Sequence, residues 1–148
     1  MLHSETPKIK LSNEYIRGLV EGEGCFTFTR NGIKKIPAFC IQMHQRDFYL
    51  LTAVKDCLGL KNKIYRYRPW RLDGIKRGPS ARLIVREIGN LKNIIIPFFY
   101  KRLMGHKGKQ FEEWLNNIGT DPLVPESFKI LCRLHKSGYW DKNIFFSA

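Results

Sequence analysis

The stretch from Ile16 to Gly32 reads IRGLVEGEGCFTFTRNG, and its hydrophobic period changes at Gly24. Before Gly24, apolar residues recur at the spacing of a helix whose start is marked by Ser12, a favourable N-cap residue. After it, Cys25 to Thr29 alternates between apolar and polar side chains, as a half-buried strand does. Asn31-Gly32 then favours a tight hairpin turn. The stretch therefore predicts a helix, a strand and a hairpin turn in direct succession.

The same succession repeats further along the chain. Residues 36–44 are predicted to form the returning strand, and residues 47–58 carry an apolar helical stripe that Gly59 ends. A second hairpin is predicted from strands at 63–68 and 80–87, joined by a turn region rich in Gly and Pro. Later helices are expected at residues 91–96 (interrupted by Pro97), 107–118 and 125–136. This order predicts an α+β fold, a four-stranded antiparallel sheet with helices on one face.

The strand alternation also predicts which side chains face away from the helices. Phe26 and Phe28 are expected to point toward them, and the opposite parity then selects a polar and cationic set on the open face of the sheet. Its members are Thr27, Thr29, Asn31, Gln42, His44, Lys63, Tyr65, Tyr67, Arg82 and Arg86. The parity of the strand at 63–68 is ambiguous, so Arg66 and Arg68 remain contact candidates as well. Because a two-stranded ribbon fits the major groove, where Arg reads guanine and Asn or Gln reads adenine, this face predicts duplex DNA as the partner.

The charge balance favours a polyanion for the same reason. The 148 residues include 26 Lys and Arg against 13 Asp and Glu, a formal net charge of +13. Residues 61–90 alone carry nine basic and two acidic side chains, interleaved with Tyr65, Tyr67 and Trp70. Cations clustered with stacking groups are typical of nucleic-acid binding, in which phosphate pairing releases counterions.

Other classes of function lack their signals in this sequence. No apolar run reaches the roughly 18 residues of a membrane span, and residues 1–10 lack the apolar stretch of a signal peptide. The four cysteines form no CxxC pair and are expected to be reduced thiols of an intracellular protein. The four histidines have no zinc-binding spacing. We expect neither a membrane nor a small molecule as the partner.

The end of the first helix contains unfavourable residues. Glu21 and Glu23 face the negative end of the helix dipole, which costs about 0.3–1 kcal/mol each. Gly18 and Gly22 each cost about 1 kcal/mol relative to alanine inside a helix. Such local costs usually mark a functional site. The two glycines lie on one helix face and form a flat track for a second helix, and two such helices would bring two Glu23 carboxylates together around a divalent cation.

These residues resemble a known motif. Ile16 to Gly24, followed by Cys25-Phe26, is similar to the LAGLIDADG motif of homing endonucleases, with Ile16-Arg17 in place of Leu-Ala and Glu in place of Asp. The resemblance extends from about residue 12 to residue 118. It implies an αββαββα core with a saddle-shaped sheet over residues 12–118, and a C-terminal helical extension over 119–148. We expect residues 1–148 to form a single endonuclease domain.

The resemblance also implies roles for individual residues. Glu23, with Gly22 beside it, would hold the metal at the active site, and Glu21 would be chiefly structural. Lys107 would be the catalytic lysine (Lys109 if the register is shifted), and Gln45 at the end of the second strand would orient water. The motif helices of two chains would pair through Gly18, Leu19, Glu21 and Gly22. Mg²⁺ is the expected ion, with Mn²⁺ as a substitute and Ca²⁺ non-productive.

A single motif in a short chain implies a homodimer, because no second copy occurs in residues 25–148. The resemblance implies an intracellular enzyme that cuts one phosphodiester in each strand of a long pseudo-palindromic duplex. Two alternatives remain: an RNA maturase that assists intron splicing, and a catalytically inactive DNA-binding protein.

Overall fold

The computed structural model describes residues 9–68, 70–72 and 75–141. Its first helix, α1 (Asn13–Glu23), begins where the sequence predicts, with the Ser12 hydroxyl accepting a hydrogen bond from the Tyr15 amide at 3.0 Å. Ile16 and Val20 are fully buried on its inner face. The Gly24 amide donates to the Val20 carbonyl and ends the helix. A Cβ on Gly24 would lie 2.6 Å from the Val20 side chain, so the helix-to-strand transition requires a residue without one.

Four strands form the antiparallel sheet that the alternation predicts. They are β1 (Gly24–Asn31), β2 (Lys34–His44), β3 (Ile64–Tyr67) and β6 (Ser80–Val85), and their order across the sheet is β1-β2-β6-β3. The register places Phe26 opposite Phe39, and Phe39 opposite Val85. These three side chains are buried, so their row faces the helices.

The helices cover that one face of the sheet. They are α2 (Phe48–Cys57), α3 (Ile88–Asn90), a π-helical segment (Leu91–Ile95), α4 (Ile96–Phe99), α5 (His106–Thr120) and α6 (Ile130–Ser137). Phe26 lies at the centre of the core, with its ring centroid 4.8 Å from that of Phe111 and 5.4 Å from that of Phe39. Leu131 and Trp140 belong to the same buried cluster. No helix within the described part of the chain is long and apolar enough to span a bilayer.

Two local predictions differ from the structure. The turn region predicted between residues 69 and 79 contains a separate two-stranded ribbon, β4 (Trp70–Leu72) paired with β5 (Ile75–Arg77). The Asp73-Gly74 dipeptide between these strands favours a two-residue hairpin turn, and it is the sequence signal for the ribbon. Pro69, Asp73 and Gly74 themselves lie outside the described residues.

The second difference concerns the helix after β6. Pro97 does not end it, because the wider π-helical turn directly before Pro97 lets the helix continue past a residue without an amide hydrogen. Asn90, the residue before the helix expected at 91–96, makes no capping hydrogen bond. Its amide instead donates to the Glu87 carboxylate at 3.1 Å and lies 3.5 Å from Asn62 Oδ1.

Candidate active site and nucleic-acid interface

The open face of the sheet brings the predicted polar side chains into rows. Cross-strand partners share a face, and the register aligns Gln42 with Arg82 and Arg82 with Tyr65. The next row aligns His44 with Ser80 and Ser80 with Tyr67. Thr27, Thr29 and Asn31 follow the same parity on β1, and Lys63 and Arg86 follow it just beyond the ends of β3 and β6. Most of this predicted set therefore shares one surface, which we call the open face.

The structure resolves the ambiguous strand. Tyr65 and Tyr67 lie on the open face, 41% and 40% exposed, and the ammonium of Lys63 lies 5.6 Å from the Tyr65 ring centroid. Arg66 points to the other side of the sheet, where its guanidinium lies 3.8 Å from the ring centroid of Phe48. Strand alternation assigns Arg68 the parity of Arg66. Of the two candidate sets, the tyrosines and Lys63 have the geometry for contact on the open face.

The middle of the open face also contains residues outside the predicted contact set. Ala38, Cys40 and Ile84 form a small buried cluster there, apart from the main core. Cys25 lies opposite Cys40 in the register, and Arg82 Nη2 donates to Cys40 Sγ at 3.9 Å. The alternation that selected Thr27 also selects Cys25, so the parity signal was present in the sequence.

Glu21 connects the end of α1 to the start of α5. Its carboxylate accepts hydrogen bonds from the backbone amides of Met104, at 2.5 Å, and Gly105, at 3.0 Å. Gly105 is the N-cap position of α5 and has no side chain to cap the helix. A carboxylate at a helix N-terminus satisfies free amides and interacts favourably with the helix dipole. Glu21 thus has a structural partner within its own chain.

Lys107 makes a second connection between the same two helix ends. Its ammonium donates to the Gly24 carbonyl at 2.6 Å, and Gly24 directly follows Glu23. Glu23 itself is exposed at the last position of α1. The fold therefore gathers the two predicted catalytic residues at one helix junction. Lys109, the alternative lysine, is exposed on α5 and makes no contact with α1 among the described contacts.

Gln45 lies further from this junction. Gly24 pairs with Ile41, and Gln45 lies four residues after Ile41. At the rise of a strand, Ile41 and Gln45 are about 13 Å apart. The backbone amide of Gln45 donates to the Pro79 carbonyl at 3.1 Å. Its side chain makes no hydrogen bond with Glu23 or Lys107 among the described residues. Gln45 thus shares an end of the sheet with the acid and the lysine, but the chain does not bring it into contact with them.

The described residues near Glu23 include suitable ligands for a metal ion, but too few to complete its coordination. The Glu23 carboxylate and the backbone carbonyl of Gly22 are oxygen ligands of the kind that hard divalent cations take. The described residues contain no cluster of three His, Cys, Asp or Glu side chains that would hold a metal alone. A cation at this position would need further oxygen ligands from outside the chain.

The glycine face of α1 is open. A Cβ on Gly18 or Gly22 would meet no atom of the described chain within 4 Å, apart from the backbone of the helix itself. Tyr15, on the same helix face, is 47% exposed. Leu19 is half-buried beside them. This track lies next to the junction that holds Glu23.

Solved structures of similar fold are homing endonucleases. The chain resembles the homing endonuclease I-TnaI with a TM-score of 0.59 and 23% identity, over 89% of this chain and 79% of that one. It resembles the LAGLIDADG homing endonuclease I-LtrWI bound to target DNA (TM-score 0.63, 22% identity, 93% and 47% covered). It also resembles the meganuclease I-CpaMI bound to uncleaved DNA (TM-score 0.60, 19% identity, 94% and 45% covered). The chain thus spans about half the length of the last two proteins.

The family match is more specific than these likenesses of fold. The family described as LAGLIDADG endonuclease matches residues 16–118, which include the motif helix, all four strands of the sheet and most of α5. The match begins at Ile16, the residue from which the motif was read in the sequence. It favours the nuclease over the maturase and the inactive DNA-binding protein. The chain belongs to the LAGLIDADG endonuclease family, the class of site-specific DNA endonucleases that its sequence resembles.

Proposed function

We propose that this chain acts as a homodimer that hydrolyses one phosphodiester in each strand of a long pseudo-palindromic DNA duplex, with Mg²⁺ as its ion. The observation that carries the proposal is the junction of α1 and α5, where an exposed Glu23 adjoins the Gly24 carbonyl that holds the Lys107 ammonium at 2.6 Å. The open face with its cations begins at the next residue along β1. A protein whose target is DNA is also expected to act inside the cell.

Each residue of the junction has a role in phosphodiester hydrolysis. Glu23 would hold the ion, together with the Gly22 backbone, substrate phosphate oxygens and water. The chemistry that an ion would supply when held there is an activated water and a positive charge beside the leaving oxygen. Lys107 places a fixed positive charge where negative charge develops on the phosphate in the transition state. Mn²⁺ is expected to replace Mg²⁺, whereas Ca²⁺ is expected to support binding without cleavage.

The homodimer is supported by the incompleteness of one chain. The described residues of a single chain offer one exposed carboxylate at the junction, whereas a duplex has two strands to cut. Packing of two α1 helices through Gly18, Leu19 and Gly22 would bring two copies of Glu23 close together. Glu21 would then border the interface while it holds the α5 loop of its own chain. The two-fold axis implies a pseudo-palindromic target.

Substitution of the acid tests this proposal. Glu23→Gln keeps the shape of the side chain and removes its charge, so we expect cleavage of a randomised duplex library in Mg²⁺ to be lost. Duplex binding, measured in Ca²⁺, is expected to remain. Glu113→Gln is the matched control, because Glu113 is an exposed acid in the middle of α5. A Glu23→Gln protein that still cuts DNA would contradict the proposed role.

A further inference from the structure

Two cysteines face each other across the first two strands of the open face. Cys25 on β1 and Cys40 on β2 are register partners, and both are free thiols. Residues directly opposite each other in an antiparallel pair have Cα atoms about 4.5–5.5 Å apart. Disulfides form at Cα separations of about 4.4–6.8 Å. The backbone pairing thus already holds the two residues at a separation that a disulfide can span.

The surroundings of the two thiols differ. Cys25 is exposed on the open face, whereas Cys40 is 6% exposed between Ala38 and Ile84. Burial raises the pKa of the Cys40 thiol, although the guanidinium of Arg82 acts in the opposite direction. Cys40 is therefore a protonated, shielded thiol at neutral pH, and an oxidant reaches Cys25 first. An accessible cysteine beside a second cysteine that can resolve it is the usual arrangement of a redox-sensing site.

We propose that Cys25 and Cys40 form a reversible redox pair, closed to an intrachain disulfide by a peroxide and reopened by a thiol reductant. The Cys25 sulfur attacks one peroxide oxygen and becomes a sulfenic acid, while its thiol proton passes to the departing oxygen, which leaves as water. The Cys40 sulfur then displaces the sulfenic oxygen, which leaves as water when the S–S bond forms. The two thiols lose two electrons and two protons, and the peroxide becomes two waters. Reduction proceeds by thiol–disulfide exchange.

The cysteine pair lies beside the proposed active site, so a disulfide there is expected to slow DNA cleavage. This expectation rests on the proposed function. Cys25 follows Gly24, whose carbonyl holds Lys107, and Gly24 follows Glu23. A disulfide brings the two Cβ atoms to about 3.8 Å, closer than the about 4.5–5.5 Å of an open cross-strand pair. The bridge therefore shifts the first rungs of the sheet beside the junction. Because displacements of about 1 Å cost about a hundredfold in rate at a catalytic site, we expect the bridged protein to cut at least about tenfold more slowly.

The test uses the full chain with hydrogen peroxide as the oxidant. Peptide mapping by mass spectrometry without reduction is expected to find a Cys25–Cys40 bridge, with the mass loss of two hydrogen atoms. Treatment with a thiol reductant is expected to remove the bridge and restore the cleavage rate. Cys25→Ser and Cys40→Ser are each expected to lose both the bridge and the peroxide sensitivity. Cys57→Ser is the matched control, because Cys57 is exposed at the end of α2 and its sulfur lies beside the Ile9 carbonyl, 4.0 Å away.

Three results would overturn the inference. They are Cys25 and Cys40 both remaining as thiols after peroxide treatment, a bridge between two chains, or a bridged protein that cuts DNA as fast as the protein without the bridge. A reduced protein that does not cut DNA at all would count against the proposed function instead. The peptide map requires no cleavage, so it decides separately whether the pair forms.

Discussion

The two acids at the end of α1 lie two residues apart and have different surroundings. Glu21 accepts two backbone hydrogen bonds from the loop before α5, whereas Glu23 is exposed and has no hydrogen-bond partner among the described residues. A carboxylate whose oxygens already accept strong hydrogen bonds has less capacity to hold an ion. The contacts give Glu21 a structural partner and leave the Glu23 carboxylate without one in the described part of the chain, which supports the proposal that Glu23 holds the ion. That is the division of roles the motif resemblance implied.

Lys107 can be tested against its neighbour two residues later. Lys107→Met removes the cation beside the Gly24 carbonyl. We expect the cleavage rate to fall about a hundredfold, because the loss of one preorganised group that stabilises charge in the transition state has an effect of that size. Duplex affinity is expected to change little. Lys109→Met is the control, because this substitution removes the same charge from an exposed position on α5. Equal losses in the two variants, measured by single-turnover cleavage, would remove Lys107 from the mechanism.

The elements differ in how far the sequence predicted them. The motif helix, the first hairpin and the sheet were predictable because Ser12, Gly24 and the alternation after Cys25 each indicate local backbone geometry. The contact of Lys107 with Gly24 joins residues 83 positions apart, so no local pattern contains it, and the resemblance alone pointed to it. The parity of Arg66 depended on Phe48, a packing partner on another element.

The two sides of the sheet allow a matched comparison of arginines. Arg86 follows the open-face parity, whereas Arg66 stacks on Phe48 on the opposite side. Both are exposed, and substitution by Gln removes the same charge from each. We expect Arg86→Gln to lower duplex affinity and to reduce the slope of log affinity against log salt by about one. Arg66→Gln is expected to retain the wild-type slope in the same titration, and the reverse result would place the DNA on the helix side.

Glu87 makes the connection between β3 and α3 depend on pH. Burial alone would raise the pKa of its carboxyl, but hydrogen bonds from Asn62, Asn90 and the backbone hold that pKa below its ordinary value. A carboxyl with a lowered pKa in the folded state contributes stability above its unfolded pKa, and loses it as the pH falls through the folded value.

We therefore expect Glu87→Gln to lower the free energy of unfolding at neutral pH, with the difference from wild type shrinking at an acidic pH below the ordinary pKa of a glutamate. Denaturant unfolding at both pH values measures this, and Glu113→Gln, an exposed acid on α5, is the control. A difference that is the same at both pH values would show that Glu87 acts through packing alone.

At the scale of the whole molecule, the glycine track of α1 is the surface through which we propose that two chains meet. Gly18→Leu adds a side chain to a surface on which the described chain places no atom within 4 Å, so the fold of one chain has no clash to accommodate. Replacing a helical glycine is also expected to raise helix stability, by about 1 kcal/mol for alanine. We expect the melting temperature of the monomer to be kept or raised and the homodimer to be lost.

Sedimentation on duplex DNA measures this outcome. Gly89→Leu is the matched control, because Gly89 is also helical and a Cβ there would meet nothing within 4 Å. If Gly18→Leu still binds two chains to each duplex, the proposed interface is wrong.

The two hydrogen-bonded links between the ends of α1 and α5 have a consequence for the order in which the protein is made. A ribosome that has completed only the first hundred or so residues has produced the acid, the sheet and most of the cationic surface. It has not yet produced the amine that bonds to the Gly24 carbonyl, nor the loop amides that Glu21 holds. A nascent or truncated chain of that length therefore contains the residues of the open face without a complete cutting centre, and it also lacks Phe111 and Trp114, against which Phe26 packs. We expect such a fragment to be unable to nick the genome that encodes it.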